Sequence, residues 1–502
     1  MKGQLTKDKI AKLVRFAGPA TVYVFMLFVL IHFSAYVYKF QALSYFDGTF
    51  GYFAGLFRYP AAIVLWTGRF LTQFCLYPVV GAILLVALLS VIGYMVWRFI
   101  FEGRGLSSIS ILPSVVLFLF ITRLGYRLFT VRSDALIFTQ VVGITFALLA
   151  FYFLKSSERK IPAALAVALV GYPLAGFYAL LPLAMSAVEG IRHKDYLYIA
   201  TCVASAAVAP LLYYLVVYNN TGLEYMWLQG TPYLDSYGDV PGFLPLWVTC
   251  GLLVLFPAFK PARKYEGVPG IVADVLIYAV CFSALNFFPD RQALLHRQLR
   301  SEVAIEKGNW GEALMQTTGT DVTNDVLIAY RNIALYNLGR LEKDCARYSF
   351  NVVPMSVAGV PVSSSRICGP TVYYYSGLIN FAERWCSELD LYSELSMEHL
   401  KYRAKVNILN GNYAQAEMYL DAIGRSTLNK PWARRYREFI SHPETIGLDA
   451  EFAGLLPLQE YDVQKWMSSD EVARDVLNFY YAVEGRSPEF VEWHRMARMI
   501  LL

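Results

Sequence analysis

The chain has 502 residues and a formal net charge of +5; 56% of the residues are hydrophobic, 16% aromatic and only 17% charged. A soluble protein carries about a quarter charged residues, which argues against an ordinary cytosolic enzyme. Residues 1–289 hold 21 Lys+Arg and 12 Asp+Glu, while residues 290–502 hold 23 and 27, so one membrane domain is expected to precede one water-soluble domain.

A membrane-spanning helix needs about 20 apolar residues, because hydrocarbon offers its backbone no hydrogen-bond partners. In chain order, spans are expected near 18–38, 76–96, 109–124, 135–154, 197–217, 243–259 and 268–288. The stretch 161–191 is too long for one straight helix and carries Pro173, which breaks helix interiors. Two short helices meeting at Gly171–Gly176 fit better, with basic flanks Lys155, Arg159, Lys160 and Arg192, Lys194 on one side. That gives about nine membrane segments. With the N-terminus inside, the inner loops hold 15 Lys+Arg and the outer loops 6; by the positive-inside rule, nine crossings place the C-terminal domain outside. A bacterial inner membrane with a periplasmic domain is the simplest home. The first apolar stretch lacks a small-residue cleavage pattern and reads as an anchor.

From Arg291 onward the apolar spacing is helical. Windows around Gly308, Gly339 and Gly411 are alike: a helix of small and apolar residues, a Gly turn, then an aromatic or Leu opening a second helix. The Gly-to-Gly distances of 31 and 72 approximate one and two periods of the tetratricopeptide repeat, and a helix near 373–389 would fill the gap. An irregular helical bundle is the plainer alternative. Stacked repeats would offer a concave surface to protein or peptide partners. The run Pro431–Arg437 reads as a solvated helix face in a net acidic domain, with no nucleic acid as partner.

No P-loop, HExxH pair or GxSxG elbow occurs, and the seven cysteines show neither CxxC nor Cys/His spacing; no metal and no cofactor is expected. His32 reads as a packed histidine or, alternatively, a proton carrier. Within the first outer loop, 39–74, Asp47 is the only carboxylate between Asp8 and Glu102. This segment is too polar to span and is expected at the membrane interface, Trp66 and the tyrosines at headgroup depth and the arginines reaching phosphates. Asp47 beside Arg58 and Arg69 suits a reaction on a lipid-phosphate-linked substrate: the acid as general base, the guanidinium groups holding the departing phosphate. Arg123, Arg127 and Arg132 cluster in the second outer loop against the charge bias, either as substrate ligands or as snorkelling side chains. Loop 218–242, with Glu224, Asp235 and Asp239, would close over a substrate or be a plain acidic surface. Asp274 would cap or pair inside the bundle.

An interfacial first outer loop with a solitary Asp, set between a first span and amphipathic helices, resembles the membrane glycosyltransferases of the GT-C fold. The resemblance implies a catalytic acid at Asp47, a polyprenyl-phosphate sugar as donor, and a soluble C-terminal domain on the outer face, which in some members carries tetratricopeptide repeats. The stretch Phe70-Leu71-Thr72-Gln73-Phe74, Tyr77-Pro78, Gly81-Ala82 also resembles an uncharacterised family of bacterial membrane proteins. The expectation is an all-α protein: a polytopic transmembrane helix bundle (1–289) followed by a soluble helical-repeat domain (290–502). It would move a sugar from a polyprenyl-phosphate carrier to an acceptor on the periplasmic face. The alternative is a non-catalytic scaffold whose repeats recruit envelope proteins.

Overall fold

The computed structural model describes residues 2–103, 107–130, 136–218, 222–232, 240–259, 268–286, 292–319, 321–348, 351–392, 395–462, 471–484 and 488–500. The protein is all-α; among the described residues the only strands are β1 (Ser356–Val357) and β2 (Val360–Pro361), an antiparallel pair in register Val357 with Val360.

The first half contains α1 (Lys2–His32), α2 (Ser34–Ala42), α3 (Phe50–Leu56), α4 (Ala62–Thr72), α5 (Pro78–Met95), α6 (Ser107–Thr122), α7 (Leu136–Ser156), α8 (Lys160–Ala175), α9 (Phe177–His193), α10 (Tyr196–Val216), α11 (Val240–Leu255) and α12 (Val268–Asn286). Among the described residues, four helices are long and apolar enough to cross a membrane: Pro78–Ile100, Ile137–Ser156, Tyr196–Val216 and Pro269–Asn286. The bent pair Phe16–His32 and Ser34–Ala42 makes five if it counts as one span.

The expected nine segments are therefore too many. The segments read at 109–124 and 243–259, and the first arm of 161–191, are helices of at most 17 residues. At 1.5 Å per residue these reach about 24–26 Å, against about 30 Å of hydrocarbon. The second arm, α9, is no longer and carries Glu189, Arg192 and His193. The straight helix expected over 18–38 is also absent: the chain bends by 73° between α1 and α2, where Phe33 leaves helical geometry and stacks on His296, ring centroids 3.8 Å apart.

The 161–191 hairpin does form, with its turn at Gly176. Gly176 has φ +56°, and a Cβ there would come within 2.3 Å of the Gln229 carbonyl oxygen, so only glycine permits the approach. At the other end of the bundle, Lys155 pairs with Glu102 at 2.9 Å and Glu189 at 3.6 Å, joining the ends of α5, α7 and α9. Asp274 accepts from the Ser108 backbone N–H at 3.0 Å and its hydroxyl at 2.5 Å, satisfying donors that the first turn of α6 leaves unpaired.

The second half consists of α13 (Ala293–Glu306), α14 (Trp310–Thr317), α15 (Asp325–Asn337), α16 (Leu341–Asp344), α17 (Ser364–Ser376), α18 (Ile379–Tyr392), α19 (Met397–Leu409), α20 (Tyr413–Arg425), α21 (Lys430–Ser441), α22 (Ala450–Leu455), α23 (Val472–Glu484) and α24 (Pro488–Ile500). Consecutive helices fold back on one another at Gly308, Gly339, Gly377 and Gly411, all with positive φ. The helix expected near 373–389 is two helices, α17 and α18, because Gly377 at φ +100° ends the first. The pair α15–α16 is irregular, its second helix only four residues long.

One continuous core runs through the second half, built on residues such as Tyr330, Tyr373 and Phe452. A second fills the first half and takes in Leu295 and Leu299 of α13. The same helix gives Ala304 and Ile305 to the other core, so α13 is shared between the two parts.

Candidate functional site

Where the parts meet, the first outer loop does not lie free at a membrane surface. Tyr45 Oη donates to the Ala422 carbonyl at 3.1 Å, the Met397 N–H to the Ser44 carbonyl at 3.3 Å, and the Gly48 N–H to the Arg425 carbonyl at 3.3 Å. Ser426 Oγ meets Gln73 Oε1 at 3.1 Å. The helical domain clasps the loop. Only α3, with no buried residue, retains the exposed aromatic character expected of the whole segment; α4 packs on α7, its Gly68 against Thr139.

Asp47 is buried, accepts from the Thr49 N–H at 2.8 Å, and lies 3.6 Å from the exposed Arg425 guanidinium. Its ion pair thus runs to the helical domain. Arg69 is buried, donates to Tyr52 Oη and stacks on that ring at 5.6 Å. Arg58 is exposed, and Arg123 and Arg127 are half-buried. Arg132, Asp235 and Asp239 lie outside the described residues. Loop residue Met226 is tied to the hairpin, its carbonyl accepting from Tyr172 Oη at 2.6 Å, and Glu224 is exposed.

The structure gathers its buried charges elsewhere. Lys39 of α2 is 3% exposed, yet its ammonium donates to Glu302 of α13 at 2.5 Å and to Glu398 of α19 at 2.7 Å. Burying one ion costs several kcal/mol unless partners replace its water. Here the Thr371 hydroxyl lies 3.3 Å from Glu302 and 3.1 Å from Glu398, and itself accepts from Tyr402 Oη at 3.1 Å. Burial pushes the Glu302 carboxyl up, reinforced by its negative neighbours and opposed by Lys39. The Glu398 carboxyl is held down: Lys39 and His399 outweigh its burial. One proton taken up by this trio therefore goes to Glu302.

Beside the trio opens a cavity of about 1200 Å³. Its walls come from both halves: His32, Ser34 and Tyr38 at the α1–α2 bend and Pro78 at the start of α5, facing Glu306, Lys401, Lys405, Trp432 and Glu451. His32, expected to pack inside a span, is exposed on this wall at the end of α1. Along α19, Glu398, Lys401, Tyr402 and Lys405 stand at intervals of three and four and share one helix face. Lys405 pairs with Glu451 at 2.7 Å inside a box of rings, with Tyr374, Tyr375, Tyr402 and Tyr436 at 5.1–5.7 Å. Glu306 accepts from Tyr38 Oη at 3.1 Å, and burial raises its carboxyl above the usual range. A carboxyl raised in this way is a better proton acceptor than an ordinary one.

The chamber lining includes none of Asp47, Arg58, Arg69, Arg123 and Arg127 among the described residues. The chamber's own groups escaped the sequence reading, although a signal was present: Glu302/Glu306 and Glu398/Lys401/Lys405 repeat at helical spacing on otherwise apolar faces. Among the described residues, no three His, Cys, Asp or Glu side chains are grouped to hold a metal ion. No curated protein and no solved structure matches the chain. A family profile does match, over residues 9–482, nearly the whole length and both halves of the junction, and by that match the chain belongs to the family of unknown function DUF6057.

Proposed function

We propose that this is an inner-membrane transferase that takes a sugar from a polyprenyl-phosphate carrier and passes it to an acceptor on the periplasmic face, with the junction chamber as its substrate site. One observation carries the reading: the chamber is walled on one side by the ends of apolar helices and on the other by Trp, Tyr, Glu and Lys side chains. That suits a ligand with a greasy end and a polar, ring-bearing end. Aromatic faces pack against the apolar faces of sugar rings, and carboxylates accept from their hydroxyls.

In this reading the reacting groups belong to the chamber, and Asp47 ties the first loop to the helical domain. Glu306 takes the proton from the acceptor hydroxyl. The new bond forms between that oxygen and the anomeric carbon, while the bond from anomeric carbon to phosphate oxygen breaks and the carrier phosphate leaves with the electron pair. The orientation also has support. Lys155, Glu102 and Glu189 lie at the end of α7 away from its N-terminus, while Tyr126, in the turn that follows α6, meets Asn324 of the helical domain at 3.0 Å. The basic loops and the helical domain thus occupy opposite ends of the bundle.

A second reading, a scaffold recruiting envelope proteins through tetratricopeptide-like helix pairs, is favoured by the glycine-marked hairpins at 308, 339, 377 and 411. Mass spectrometry of lipid-linked saccharides in a deletion strain separates the two. The transferase reading expects a lipid-linked saccharide to accumulate, and to be cleared by the wild-type chain and by Asp47→Asn but not by Glu306→Gln. An unchanged lipid profile on deletion, or full clearance by Glu306→Gln, overturns it.

A further inference from the structure

We infer that the chamber contains an anion site centred on the Lys401 ammonium, and that its ligand is a phosphate ester. The inference shares the chamber with the transferase reading but needs no transfer chemistry.

Three cations around the chamber are already paired. Lys39 is taken by Glu302 and Glu398, Lys405 by Glu451, and Arg435 by Asp449 at 2.9 Å. Lys401 has no ion pair within 4 Å among the described residues; its ammonium lies over the Trp432 ring, 5.5 Å from the centroid. It is half-buried on the chamber wall. Burial draws its pKa down to about 8, with Glu306 acting in the opposite sense. A cation held out of bulk water with no close counter-ion is a standing cost, and an anion entering the chamber would remove it.

Arg300 lines the same chamber and uses one N–H on the His32 carbonyl at 2.9 Å, which leaves further guanidinium donors. An ammonium and a guanidinium lining one chamber match a phosphate, which has charge and acceptors for both. The packing alternative is that Lys401 merely lays its stem along Trp432; Lys401→Met preserves that stem and removes the charge.

The test uses the full chain in a polyoxyethylene detergent, free of phosphate and sugar. Acetylation of Lys401 at pH 8 is followed by peptide mass spectrometry, with inorganic phosphate, farnesyl phosphate and farnesol as probes. A phosphate probe is expected to slow modification of Lys401 about fivefold or more and to leave Lys343, exposed and outside the chamber lining, unchanged. Protection by both phosphates shows that the phosphate group alone suffices; protection by farnesyl phosphate alone assigns the lipid-linked source. Its thermal stabilisation should vanish in Lys401→Met and persist in Lys401→Arg. No protection by either phosphate, equal protection by farnesol, or undiminished stabilisation of Lys401→Met overturns the site. Phosphate binding without any lipid change in the deletion strain would sink the transferase reading and leave this one standing.

Discussion

Replacing Lys39 by Met tests whether the buried trio holds the two halves together. The substitution keeps an unbranched apolar stem and removes the ammonium, so packing around Phe40 and Phe129 is preserved while Glu302 and Glu398 lose their shared counter-ion. Removing one partner from a buried ion pair costs about 3–5 kcal/mol. For a unit of this size that corresponds to roughly 6–20 °C in Tm, at about 2–4 °C per kcal/mol. Glu302 can relieve part of the loss by taking a proton, which favours the lower end at pH 6 and the upper end at pH 8. The assay is thermal melting in detergent together with hydrogen exchange of peptides from α2 and α13, whose amides should lose protection before those of α17 or α23. Adding Glu302→Gln and Glu398→Gln removes the stranded charges and should restore more than half of the lost stability. A single variant melting within about 2 °C of wild type, with α2 and α13 still protected, would refute the reasoning.

Three further outcomes are expected. Because the Glu302 carboxyl is raised from 4.5 to about 7, the folded chain holds that proton more tightly than the unfolded one. Its contribution therefore grows as pH falls from about 7 toward 4.5, the reverse of an ordinary salt-bridged acid; His296, pushed down to about 4 chiefly by burial, opposes it below 6.5. The difference in Tm between wild type and Glu302→Gln should change with pH across this window, and a pH-independent difference would count against the assignment. Gly176→Ala places a Cβ within 2.3 Å of the Gln229 oxygen in a backbone conformation side chains rarely adopt, so a loss of about 1–3 kcal/mol is expected in a denaturant or thermal melt. Cys368 and Cys386 are fully buried and should resist labelling in intact cells; Leu448→Cys, on a residue 84% exposed, should react with an impermeant maleimide from the periplasmic side, and labelling only after lysis would reverse the orientation.

Much of the fold was legible along the chain, because helical periodicity and apolar composition are local. The glycine turns at 308, 339 and 411 fell at their expected places, and the length of 161–191 with its interruption at Gly171–Gly176 pointed to the hairpin that forms. The number of spans was not legible. Hydropathy reads composition in a window and not where a helix stops: α8 ends at Ala175, before the turn at Gly176, and the chain bends at Phe33 where that ring stacks on His296, 263 positions away. Asp47 drew attention by its isolation in the sequence. Isolation along a chain says nothing about isolation in space, and the residue that meets it, Arg425, comes from the far domain.

By itself, then, the sequence determined that the chain is all-α and that its long apolar helices fall in the first half, since both follow from which residues water or hydrocarbon tolerates over a few turns. Only the tertiary structure decided where charge is buried. Lys39 reads as an ordinary outer-loop cation until α13 and α19 bring Glu302 and Glu398 to it from 263 and 359 positions away. A buried ion is stable only with its partners in place, and those partners are chosen by packing, which no local pattern records.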